Sequence, residues 1–125
     1  VIEALLVLVG VALLALLGLL APLVPGLWWI QAGWYAVAVG LLLGVPTGTI
    51  YHLRLARALA RRGCLPSRWW IRPTALHAQL DAAERKRVLP WFAAGGAGFV
   101  GVVAGFLSIV AGLVSEAFRA GLLGG

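Results

Sequence analysis

Acidic residues, lysine, cysteine and methionine are all scarce in this chain. Only Glu3, Asp81, Glu84 and Glu116 carry negative charge, and Lys86 is the single lysine. So few acids leave no acidic cluster for phosphoryl transfer, and no serine–histidine–acid set is evident. Cys64 is the only cysteine, which excludes an intrachain disulfide and a multi-cysteine zinc site. A lone juxtamembrane cysteine can accept an acyl chain, but an inert small residue is the simpler reading. Methionine is absent even at position 1, so the sequence is expected to lack its natural start. The charged fraction is 11% against 62% apolar, far from the quarter charged of a soluble domain.

What is present is long apolar sequence. Residues 88–114, VLPWFAAGGAGFVGVVAGFLSIVAGLV, hold no charged side chain. As a helix rising ~1.5 Å per residue, that stretch outspans the ~30 Å hydrocarbon core of a bilayer. Two more apolar runs precede it, at about 2–21 and 27–45. The fold expected is an all-α integral membrane protein: one membrane domain over 1–125, with transmembrane helices at about 2–21, 27–45 and 89–114. A basic, amphipathic helical loop at about 46–88 joins the second and third. The first run lacks a basic leader and is too long for a usual signal peptide, so a retained helix is expected. Pro22, Pro25 and Gly26 break it. The PLVPG link then forms a tight hairpin that makes the first two segments antiparallel neighbours. Trp28, Trp29, Trp34 and Tyr35 mark an interfacial aromatic belt at the start of segment two. Pro46 marks its other end or a kink, and Pro90 begins segment three or kinks a helix running through it.

The net charge of +6 is concentrated: nine of ten basic residues lie between Arg54 and Arg87. That asymmetry points to a cytoplasmic loop and away from nucleic acid as a partner. The N-terminus then faces the cytoplasm and the C-terminus the outside. Arginine-rich, glycine- and alanine-rich composition suggests a bacterial source and its inner membrane. Within IYHLRLARALARR at 50–62, Arg54, Arg57 and Arg61 share one helical face, Ala56 and Leu59 the opposite one, and Gly63 is a natural stop. Such a helix lies on an anionic leaflet or continues segment two. A further helix is expected from Pro73 to about Leu89. Arg54, Arg57, Arg61, Arg62, Arg68, Arg72, Arg85, Lys86 and Arg87 are the expected contacts to anionic phospholipids or to a partner's acidic surface.

Small residues recur every fourth position, at Ala36, Gly40 and Gly44 in segment two and at Ala97, Gly101 and Gly105 in segment three. Close packing rather than hydrophobic drive joins helices in lipid, and these ladders are the expected contact faces, internal or between subunits. Leucine-rich segment one is expected to face lipid.

His77, Asp81 and Glu84 fall at i, i+4, i+7, one face of the expected helix, and with His52 form a possible polar site. The plainer reading is a solvated face in which Asp81 pairs with Arg85. No metal and no cofactor are expected. GAGFVG at 96–101 matches a dinucleotide-binding pattern only by letter, because no strand precedes it. Glu116 is expected to pair with Arg119 at the outer interface. The function expected is a small non-catalytic accessory or structural subunit of a larger inner-membrane complex, docking through glycine-rich faces. The alternative is a small transport or membrane-enzyme component with a polar site at the cytoplasmic interface, binding an anionic lipid or substrate. Other membrane subunits are the expected partners.

Overall fold

In the computed structural model, which describes residues 1–121, the chain is helical and contains no strand among those residues. Three helices follow in order: α1 (Ile2–Leu20), α2 (Gly26–Arg61) and α3 (Ala82–Arg119). All three are long and apolar enough to cross a membrane. A 3-10 turn, Ala21–Leu23, joins the first two, and a second, Pro73–Gln79, lies between α2 and α3.

The helices outrun the expected spans. A crossing uses about 20 residues, whereas α2 has 36 and α3 has 38. Neither Pro46 nor Pro90 ends its helix. Proline removes an N–H and leaves carbonyls of the preceding turn short of donors. Near Pro46, Thr47 and Thr49 donate their hydroxyls to the Leu43 and Val45 carbonyls at 2.6 and 2.7 Å, which adds bonds in the turns flanking the proline but none to the Leu42 carbonyl whose N–H partner it removes. Of the two readings of 50–62, continuation of segment two is the one observed, so the expected loop at 46–88 is shorter than its bounds. Its first part is the end of α2, its last part is the start of α3, and only the connector 62–81 lies between them.

The expected helix from Pro73 is corrected too. Residues 73–79 form a 3-10 turn, Leu80 is extended (φ −82°, ψ 140°), and α3 starts afresh at Ala82. Gly63 does stop α2, in a left-handed conformation (φ 68°) that a side chain would strain.

Contacts fall into two compact units, Val1–Val37 with Val103–Gly125, and Ala38–Val102. In the first, α2 and α3 run antiparallel with Gly26 against Gly112 and Gly33 against Gly105. A β-carbon on Gly33 would lie 2.5 Å from the Gly105 carbonyl oxygen, so bare backbone is required. Ser108 donates its hydroxyl to the Trp29 carbonyl at 2.7 Å beside this seam. Glu116 reaches across to the start of α2 and accepts the Gly26 N–H at 2.8 Å. It caps the start of α2, where the dipole favours a carboxylate. Arg119 stands 3.9 Å from Glu116 and reaches toward the Val24 carbonyl. α1 has little packed against it: Leu5, Leu6, Leu8 and Leu19 are 58–72% exposed.

In the second unit Gly40 packs on Gly98 and Val102, and Gly95 lies against Gly48. Further along, Tyr51, Leu55, Ala58 and Leu59 of α2 bury against Leu76 and Leu80 of the connector and Val88 of α3. The apolar stripe that 50–62 buries is therefore centred on Leu55 and Leu59, with Ala56 only half-buried. This cluster is what folds the connector back onto the helices.

Candidate functional site

The connector end of the second unit gathers most of the chain's polar chemistry. Asp81 precedes α3 and accepts the Glu84 N–H at 2.8 Å, while Glu84 returns to the Asp81 N–H at 3.0 Å. This reciprocal pair is a capping box, which satisfies two otherwise orphaned N–H groups at the helix start. Arg62 clamps both acids, at 2.7 Å from Asp81 and 3.0 Å from Glu84, and donates to the Gln79 carbonyl at 2.9 Å. The Glu84 N–H, with the Arg62 charge beside it, holds the Asp81 carboxyl below its ordinary value. The shared face expected for His77, Asp81 and Glu84 is accordingly not formed, because His77 lies in the 3-10 turn and Asp81 outside the helix. Asp81 pairs with Arg62 rather than with Arg85.

The two histidines serve separate contacts. With the His77 proton on Nδ1, the Tyr51 hydroxyl donates to Nε2 at 2.6 Å, and Phe92 packs edge-on against the imidazole. Burial pushes the His77 imidazole below its ordinary value, and the Arg85 charge adds to that. His52 donates from Nδ1 to the Gly48 carbonyl at 2.8 Å, one turn back on its own helix. Among the described residues no three histidine, cysteine or acidic side chains converge as metal ligands would.

The basic residues divide by environment. Arg54, Arg57 and Arg61 on α2 and Arg87 on α3 line a groove of about 220 Å³, whose floor is buried Ala58 and Val88, with Glu84 also at its wall. Arg54 is held in place: its guanidinium stacks over Trp91 at 5.1 Å from the ring centre and reaches the Arg87 carbonyl at 3.4 Å. Arg62 is committed to the capping box. Arg68 and Arg72 are exposed on the connector, as are Arg85 and Lys86 at the start of α3.

Of the expected packing residues, Gly40, Gly44 and Gly105 lie at close helix contacts within the chain. Ala36 and Gly101 are half-buried, and Ala97 is exposed. Gly112, which continues the expected ladder of segment three, is a close contact as well, whereas sequence reasoning missed Gly26, Gly33 and Gly98. Their signal was present as a step of seven residues along each helix. The spacing Asp81-x-x-Glu84 is itself a capping-box signature, which the helical-face reading passes over. Compared with protein-family models, curated proteins and solved structures, the chain matches none.

Proposed function

We propose that this chain is a small non-catalytic subunit of a larger protein complex in a bacterial inner membrane. Its N-terminus and the Arg-rich connector face the cytoplasm, and its C-terminus faces outside. The reading is carried by the apolar surface left uncovered. α1 offers leucines and valines on every side, and folded proteins leave such continuous apolar surface only to lipid or to partners. Nine basic residues at one end fit the inner leaflet. The glycine seam between α2 and α3 is used internally. Partner helices therefore dock where small residues stay open: Gly10 and Gly18 on α1, Gly96 beside Ala97 on α3.

A photo-crosslinking residue placed at Ala97 or Leu14 in native membranes tests this. Discrete adducts with another membrane protein are expected there, and none from buried Val37. Adducts to lipid alone, with a monodisperse monomer after mild detergent extraction, contradict the proposal.

The second reading, a transport or membrane-enzyme component at the cytoplasmic interface, draws on the four-arginine groove. It requires that replacing His77 and Asp81 abolish a measurable phenotype. An intact phenotype in that double variant removes it.

A further inference from the structure

We propose that the groove between Arg54, Arg57, Arg61 and Arg87 holds the phosphate of one anionic phospholipid headgroup, as a defined site rather than a diffuse attraction. Four guanidiniums and one carboxylate line this groove. The carboxylate, Glu84, is already engaged by Arg62 and by the Asp81 N–H. Among the described residues none of the four arginines forms an ion pair. Their charge is therefore uncompensated within the unit and calls for an anion.

Geometry narrows which anion. Arg54, Arg57 and Arg61 follow one another at helical spacing on one face of α2, and Arg87 closes the groove from α3. Guanidinium forks match phosphate oxygens bidentately, and a packed one loses less freedom on binding than a free side chain. Arg54 is packed in that way on Trp91. At about 220 Å³ the space is smaller than the 300–1,000 Å³ of sites that enclose whole ligands, so it suits a headgroup whose tails lie elsewhere. Trp91, stacked with Arg54 at the groove, is a residue type that favours the headgroup level of a membrane. A lipid phosphate is presented at that level, whereas a soluble anion has no reason to prefer it.

This inference rests on the membrane reading above, and the two fail separately. Release of the chain from membranes at alkaline pH overturns embedding, while lipid preference is read on the purified protein. The full chain in a neutral detergent is titrated with phosphatidylglycerol and with phosphatidylcholine, and bound lipid is counted by native mass spectrometry. Wild type should prefer phosphatidylglycerol. R57Q/R61Q should lose about twentyfold in affinity for it, and R87Q about fivefold. R68Q/R72Q, with the same change in net charge, should stay within about twofold of wild type, since exposed charges off the site are screened. R87Q alone reads the site if the double variant fails to fold. Equal losses in the two double variants overturn the proposal in favour of diffuse attraction. Displacement of the lipid by equimolar glycerol phosphate overturns the lipid as the source.

Discussion

A β-carbon added to Gly105 would meet the Gly33 carbonyl oxygen at 2.6 Å and Val37 at 2.7 Å, while one added to Gly96 would meet nothing within 4 Å. The same substitution at the two sites should therefore differ in sign. Gly105→Ala should destabilise by about 1–3 kcal/mol through overpacking against backbone that cannot yield. Gly96→Ala should be neutral, or stabilising by up to about 1 kcal/mol through helix propensity. Unfolding in mixed micelles followed by circular dichroism measures both. At Glu116 the carboxylate caps α2 from another helix, so Glu116→Ala should cost about 1 kcal/mol in the same assay. The two predictions differ in how far the sequence foretold them. Gly40, Gly44 and Gly105 were visible as small residues at fourth positions. A four-residue step, however, rotates about 40° around a helix of 3.6 residues per turn, so a long ladder leaves the contact face. That is why Ala97 ends up exposed. A seven-residue step drifts only about 20° and keeps Gly26, Gly33 and Gly112 in contact. The reach of Glu116 to Gly26 had no local signal, because its partner lies in another helix.

Among the elements, the connector depends on its ties to the helices. Leu76 and Leu80 bury against α2, Arg62 holds the start of α3, and Tyr51 bonds His77. Because the folded state lowers the His77 pKa, it binds the proton less readily than the unfolded chain. The stability that neutral His77 contributes is present above the ordinary imidazole value of about 6.5 and is lost as pH falls toward the folded value. Amides of 73–80 should thus lose hydrogen-exchange protection below about pH 6.5, after correction for intrinsic rates. His77→Gln should flatten that pH dependence. Protection that stays constant in wild type across this range contradicts the assignment. Sequence identified the breakers here but not their effect. Gly63 ends α2 as its backbone freedom suggests, whereas Pro46 and Pro90 end nothing, because each removes one bond from a long helix that keeps its others. Leu80 ends the Pro73 turn through backbone conformation alone, and Asp81 then opens a new helix.

For the whole molecule, apolar length was the most readable property, since the three helices follow directly from runs without charge. The tertiary cluster at Tyr51, Leu55, Leu59 and Leu76 was not readable, because the leucines of the connector resemble those of any amphipathic segment until they meet. The central claim is that these helices thread a bilayer with the connector on its inner side. Cys64 tests it directly, being the only cysteine and exposed on that connector. In spheroplasts expressing the full chain, a membrane-impermeant maleimide should label Cys64 only after the membrane is broken, with the labelled protein recovered in the membrane pellet. Labelling of intact spheroplasts, or labelled protein in the soluble fraction, contradicts the account.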